Sequence, residues 1–168
     1  YLTIGGFPEL ALSDDDLYAQ RMLREDVVDK VIKRDVLTLF KVRSPLLMEK
    51  LFLYLCMNST EIFSATTAAK ELDNISPNTI ESYVDALVKS NLIYMAYPIA
   101  VGSKSVLKGR PKIYIADAAI RNAVLMVDDV LSDERELGLL IETTVYKHLV
   151  SFYQGTGAQL GYYRKAKE

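Results

Sequence analysis

Residues 63–99, FSATTAAKELDNISPNTIESYVDALVKSNLIYMAYPI, decide the fold that the sequence predicts. Ser64 precedes a short helical run, and Ser76-Pro77 combines a capping hydroxyl with a proline at the first helical position. Asn91 is a typical helix stop. The apolar stripe of the second helix is Ile80, Tyr83, Val84, Leu87 and Val88. A short helix, a tight turn, a longer helix and a strand form the order of a helix-turn-helix followed by a wing.

The wing is predicted from two strand patterns, LIYMAYPIAV and PKIYIA, which the segment GSKSVLKGR joins. The cations of this region lie within nine residues that include no acid, and they are Lys104, Lys108, Arg110 and Lys112. Ser44-Pro45 opens the helix that precedes the quoted stretch, so a winged helix is predicted from this helix through the second strand.

The outward face of the second helix carries mixed signals for nucleic acid. Asn78, Thr79 and Ser82 can hydrogen-bond bases or phosphates, whereas Glu81 and Asp85 repel phosphate. The wing supplies three or four phosphate contacts, which correspond to a salt slope of roughly −3 to −4. Two interpretations therefore stay open: weak contact with double-stranded DNA through the wing, or a protein-docking module that binds no DNA.

The segments on either side are also mostly helical. Ser13, followed by three aspartates, predicts a helix start, and residues 17–40 form one amphipathic helix or two with a bend near Asp35. LLMEKLFLYLCM is apolar nearly all round, which predicts a helix buried on most sides. Asp117 caps another helix, ELGLLIETTVYKHLVSFYQ continues as a further one, and AQLGYYR reads as a last strand. The fold class is therefore α+β and mostly helical.

Composition limits the chemistry that the chain can perform. The net charge is −2, and Cys56 and His148 are the single cysteine and the single histidine. No P-loop, CxxC, HExxH or GxSxG motif occurs, and Gly5-Gly6 reads as a turn rather than a phosphate loop. We expect no catalysis, no metal and no cofactor in this chain. No segment reads as a membrane span or a signal peptide, so we expect a cytoplasmic protein.

Glu142 is the one carboxylate in an unexpected position. It lies on a largely apolar helix, where a carboxylate is costly unless it is paired, solvated or bound to a metal. One interpretation is a structural ion pair with Lys147 or Arg164. The other is a functional carboxylate, solvated in a cleft or used for a metal.

The order of six segments resembles the region that follows the ATPase core in prokaryotic AAA-type P-loop ATPases. The segments are YLTIGGFPEL, VIKRDV, the stretch 63–99, RPKIYIADAAI, GLLIETTVYKHL and YYRKAKE. The resemblance covers nearly the whole chain. It implies a helical segment over residues 1–40 after an absent ATPase core, the winged helix over 41–116, and a truncated restriction-endonuclease-like domain of unknown function over 117–168.

The resemblance also implies how the site residues divide. Glu142 matches a helical glutamate of the nuclease-like pattern, Arg164 matches its strand arginine, and Glu168 matches an acid before the strand aspartate. The remaining acids and the lysine are missing, so we expect this piece to be inert. ATP and Mg²⁺ are expected for the parent ATPase alone. The chain begins without methionine and stops just after a strand pattern, so we expect a fragment. Its own ATPase domain is then one possible protein partner.

Overall fold

The fold is α+β and mostly helical in the computed structural model, which describes residues 2–10, 12–40, 42–99, 109–127 and 130–163. The helices are α1 (Asp16–Met22), α2 (Leu37–Leu39), α3 (Pro45–Met57), α4 (Ala65–Glu71), α5 (Pro77–Lys89), α6 (Ala118–Leu125) and α7 (Glu134–Tyr153). The strands are β1 (Ile93–Pro98), β2 (Lys112–Ile115) and β3 (Gly161–Tyr162).

The first helical region begins two residues later than the sequence predicts. Asp15 is the N-cap of α1, and its carboxylate accepts the Tyr18 amide at 2.9 Å. The Ser13 hydroxyl accepts the Asp15 amide at 3.2 Å instead, so the prediction that Ser13 caps the helix is wrong. Between α1 and α2 the chain is π-helical over Leu23–Asp29 and Val31–Val36. Asp35, where a bend was predicted, lies in the second π-helical segment.

The predicted stop of α5 is confirmed at Asn91. Asn91 has a φ of 55°, and its amide donates to the Val88 carbonyl at 3.0 Å. The Leu92 amide donates to the Leu87 carbonyl at 3.1 Å. These two bonds form a Schellman motif, in which a left-handed residue reverses the chain and satisfies the last carbonyls of the helix. The motif directs the chain from α5 straight into β1.

The predicted two-stranded ribbon forms directly after this turn. β1 and β2 are antiparallel, with Ile93 opposite Ile115 and Ala96 opposite Lys112. β3 lies on the other side of β1 and is parallel to it, with Tyr97 opposite Gly161. The sheet order is therefore β2-β1-β3, and the chain from α7 onward adds a strand beside the ribbon.

The main core connects all three predicted segments. Ile80 and Leu87 of α5 are 0% exposed and face inward, as the apolar stripe predicts. The same core contains Val28 and Val36 from the N-terminal region and Ile120 from α6. A second core forms between the N-terminal region and α6 from Ile4, Leu10, Ala19, Leu23, Ala119 and Ala123. The packing thus crosses residues 40 and 116, and the domain boundaries placed there stay a prediction.

Helix α3 buries most of its circumference and leaves one face exposed. Its inner face buries Met48, Leu51, Phe52, Leu55 and Cys56. Leu47 and Tyr54 are half-buried against the core, and Leu46, Leu53 and Met57 are exposed, so the predicted burial on most sides is confirmed apart from one exposed face. The neighbours of α3 are the second π-helical segment, α5, α6 and β2.

Candidate functional site

The polar residues predicted to meet nucleic acid lie together on α5. Asn78 and Ser82 are exposed and Thr79 is half-buried, because the opposite face of α5 packs into the main core. These three residues line a groove of about 710 Å³ together with Arg43. Arg43 is held here because the Ser44 amide donates to the Tyr83 hydroxyl at 3.0 Å. Arg43 was missed from the sequence because it precedes α3 and approaches α5 only through this tertiary contact.

The acidic residues of α5 line a second and larger groove. Glu81 and Asp85 are exposed and border a groove of about 1310 Å³, which Arg110 also lines. The tyrosines of this groove are Tyr94, Tyr97, Tyr146 and Tyr153. Lys89 binds Asp85 at 2.6 Å, but an exposed pair one helical turn apart contributes little. Glu81 therefore lies on the side of α5 that borders the ribbon, whereas Asp85 lines both this groove and the smaller one that contains Arg43.

The structure describes two of the four predicted wing cations, Arg110 and Lys112. Lys104 and Lys108 lie outside the described residues. Arg110 is exposed, and its carbonyl accepts the Tyr162 hydroxyl at 2.7 Å, which fixes the backbone at the base of the loop. Lys112 donates to Glu142 at 2.9 Å, and its ammonium lies 6.0 Å from the centroid of the Tyr162 ring. A phosphate would have to compete with Glu142 for Lys112.

Glu142 forms the structural ion pair that one interpretation predicted, with a different partner. One carboxylate oxygen accepts both the Lys112 ammonium at 2.9 Å and the Tyr114 hydroxyl at 2.8 Å. Lys147, the partner suggested from the sequence, forms an ion pair with Asp117, and Arg164 lies outside the described residues. Because β2 is distant from α7 in sequence, spacing along the helix does not indicate Lys112 as the partner.

Tyr114 joins this carboxylate to a cluster of aromatic rings. Its ring stacks on that of Tyr146 with centroids 4.1 Å apart, and Tyr94 lies 6.4 Å from Tyr146. Burial, and then the hydrogen bond to Glu142, raise the pKa of Tyr114. The phenol therefore stays protonated near neutral pH and serves as a donor. Side-chain contacts among four residues therefore hold α7 against the ribbon, and these residues are Lys112, Tyr114, Glu142 and Tyr146.

Other kinds of site have little support among the described residues. Over the ranges that the structure covers, no group of three or more His, Cys, Asp or Glu side chains is placed to hold a metal ion. Cys56 is buried, and burial raises the pKa of its thiol, so it is not a reactive thiolate. Within the described part of the chain, no helix has the length and apolar character needed to cross a bilayer.

Comparisons with known proteins give a family without an assigned activity. A model described as a domain of unknown function, DUF8612, matches residues 1–131. The chain is also similar to Uncharacterized protein MJ1637 of Methanocaldococcus jannaschii, at 31% identity over 165 residues. The matched region is 96% of this chain and 34% of that relative, so the chain spans about a third of the relative's length. No solved structure matches the chain.

Proposed function

We propose, given that the chain belongs to the family of the domain of unknown function DUF8612, that it is a non-catalytic winged-helix module. In this proposal α4 and α5 are the helix-turn-helix, and β1, β2 and the loop between them are the wing. The wing contacts the phosphate backbone of duplex nucleic acid through Lys104, Lys108 and Arg110. Asn78 and Ser82 approach the same duplex from α5.

The observation that carries the proposal is the ribbon that follows α5 without an intervening segment. The four register pairs from Ile93–Ile115 to Ala96–Lys112 bring the two ends of the basic loop together. In the sequence, Lys104 and Lys108 stand between these two ends and Arg110 stands at the second one, so the three cations favour a contact with neighbouring phosphates. Arg43 adds a cation to the groove that Asn78 and Ser82 line, although Asp85 places one carboxylate in the same groove.

The charges of α5 limit what this module reads. Glu81 and Asp85 would approach phosphates with like charge if α5 entered a major groove. With Lys112 bound to Glu142, the wing supplies about three phosphate contacts, which give a salt slope of roughly −3. Such binding is weak and independent of sequence. It suits a positioning element in a longer protein, which by the resemblance would be a AAA-type ATPase with a nuclease-like domain after the winged helix.

Fluorescence anisotropy with a random-sequence duplex at low salt tests the proposal. We expect replacement of Lys104, Lys108 and Arg110 by alanine to weaken binding by roughly 10- to 100-fold and to flatten the salt slope. The matched control replaces Lys30, Lys33 and Lys50, which removes the same charge from exposed ion pairs elsewhere. Equal losses in the two triple variants, or no loss in the first, would show that the wing is not the contact.

The second candidate function is a protein-interaction adaptor that binds no DNA. Two observations favour it. The two acids on α5 repel phosphate, and the exposed apolar residues on α3 are typical of a surface that a protein partner covers. The same titration separates the candidates, since an adaptor leaves the duplex unbound at low salt. Binding to one sequence alone, lost when Asn78 and Ser82 become alanine, would instead indicate a transcription regulator.

A further inference from the structure

The outer face of α7 carries a continuous apolar stripe. Ile141, Val145, Leu149 and Phe152 are 46%, 52%, 41% and 78% exposed. They recur at intervals of three and four, so they share one side of the helix. The inner side buries Leu140, Thr143 and Tyr146 against α6 and the ribbon. Single exposed apolar residues are ordinary on a protein surface, whereas a stripe about 16 Å long marks a contact surface.

The stripe carries no carboxylate, ammonium or guanidinium group. Between residues 137 and 154, Glu142 and Lys147 are the only acidic or basic residues apart from His148. Glu142 is paired with Lys112 of the ribbon, with the Glu142 side chain 43% exposed, and Lys147 is paired with the buried Asp117 at the start of α6. The His148 ring nitrogen contacts the Thr144 carbonyl of its own helix at 2.8 Å. Two identical copies of this face can therefore approach without repulsion between like carboxylates or like ammonium groups.

The stripe is also complementary to itself. Gly138 lies at its N-terminal end on the same side, and a Cβ added there would meet no atom within 4 Å. Residues 138 and 152 are each seven positions from Val145, and residues 141 and 149 are each four positions from it. In an antiparallel pair centred on Val145, the large Phe152 of one copy lies over Gly138 of the other, and Ile141 meets Leu149.

We infer that a second copy of this chain docks here, with the two α7 helices packed antiparallel about a twofold axis at Val145. Such a contact is isologous, since each copy contributes the same surface and each Phe152 enters the space over the other copy's Gly138. The paired face extends over about 21 Å of helix. That is small for a specific interface, so we expect a weak dimer with a Kd of roughly 10 to 100 µM.

Sedimentation equilibrium of the 168-residue chain, from roughly 5 to 500 µM, tests the dimer. We expect Gly138→Leu to weaken self-association at least tenfold, because the new side chain occupies the space that Phe152 enters. Leucine also has the higher helical propensity, so the circular dichroism spectrum should stay unchanged. Val145→Ser should act in the same direction. Leu53→Ser, which removes a comparably exposed leucine from α3, should leave the dimer intact.

Cysteine cross-linking tests the orientation. Val145→Cys lies on the axis and should form a disulfide-linked dimer in an oxidising buffer. Glu134→Cys would lie about 33 Å from its copy in the antiparallel pair, so it should form no disulfide-linked dimer. Cys56 is buried and does not compete. The inference is overturned if the chain stays monomeric at every concentration, if Gly138→Leu leaves the dimer unchanged, if Leu53→Ser dissolves it, or if both cysteines cross-link equally.

Discussion

Gly5 is the residue at which the first turn of the chain meets the rest of the molecule. Its φ is +73°, a conformation that side chains other than glycine rarely adopt. A Cβ at this position would lie 2.4 Å from the Asp117 carboxylate and 2.8 Å from the Cβ of Ala119. The neighbouring Gly6 amide donates to Asp117 at 3.4 Å. The pair Gly5-Gly6 therefore forms a turn against the start of α6, as the sequence predicts.

We expect Gly5→Ala to destabilise the chain by about 3 kcal/mol, because strained φ and a steric clash add together. Gly155→Ala is the matched control. Gly155 has a φ of +78°, but an added Cβ there meets nothing within 4 Å. Gly155→Ala should lower the free energy of unfolding by only about 1 kcal/mol, because it adds the strained φ without the steric clash. Urea unfolding followed by circular dichroism gives both values, and equal losses would mean that Asp117 moves aside without cost.

At the scale of elements, α6 holds the molecule together with two buried charges. Asp117 caps α6 through the Ala119 amide at 3.0 Å and also binds Lys147 of α7. Arg121 is 3% exposed; it donates to the Cys56 carbonyl at 3.1 Å and to both carboxylate oxygens of Glu136, at 2.6 and 3.3 Å. These bonds join α6 to the end of α3 and to α7. Helix α6 is thus the element through which the N-terminal turn, α3 and α7 keep their relative positions.

The buried charge of Arg121 on α6 leads to a prediction about stability. Arg121→Met keeps much of the side-chain volume but leaves Glu136 and the Cys56 carbonyl without their donor. We expect a loss of about 3 kcal/mol in the free energy of unfolding, as when one partner of a buried pair is removed. Lys89→Met breaks the exposed pair with Asp85 and should cost at most about 0.5 kcal/mol. Similar values for the two variants in urea unfolding would mean that the Arg121 pair is worth no more than a surface pair.

Whether the sequence predicts a feature of a helix or strand depends on how far apart in the chain the interacting residues are. Ser44, Ser64 and Asp117 cap their helices as predicted, because a cap involves residues two or three positions away. Ser76 is the N-cap residue of α5, but its hydroxyl accepts no cap hydrogen bond, so the capping hydroxyl predicted there is wrong. The stop at Asn91 is also local, since turn chemistry specifies it, and the ribbon pairs two strand patterns that follow each other in the chain. The exposure of α3 depends on how many neighbours pack against it, and residues near it in sequence carry no such information.

In the whole molecule, too, the parts of the candidate site that lie within one helix are predictable, and the contacts between distant elements are not. The polar stripe of α5 is predictable because it is the complement of the buried stripe on the same helix. The partner of Glu142 is not, because Lys112 lies on β2 and meets α7 only after the sheet and helix have packed. Arg43 joins the α5 groove for the same reason. One helix therefore indicates which residues face outward, and tertiary packing decides which outward charges are already paired.

Buried tyrosines give the whole molecule a characteristic response to alkaline pH. Burial is the largest cause that raises the pKa of Tyr54, Tyr114 and Tyr146 in the folded state. In the unfolded chain a tyrosine has a pKa of about 10. Below that pH the tyrosine is protonated in both the folded and the unfolded chain, so its contribution to the free energy of unfolding is fully present. Above it the unfolded chain loses protons that the folded chain keeps, and stability falls by up to about 1.4 kcal/mol per pH unit for each such tyrosine.

Tyr114→Phe isolates one of these contributions. At neutral pH the variant should be less stable by about 1 kcal/mol, because Glu142 loses a hydrogen-bond donor. Above a pH of about 10 the difference should shrink, since phenylalanine cannot ionise in the unfolded chain. Urea unfolding of both proteins between pH 7 and about 11 measures the difference and cancels the titration of lysines common to both. Tyr163→Phe makes the same change on a ring that is 79% exposed and should run parallel to the wild type. A constant gap between wild type and Tyr114→Phe across this range would mean that the Tyr114 phenol ionises as readily in the folded protein as in the unfolded chain.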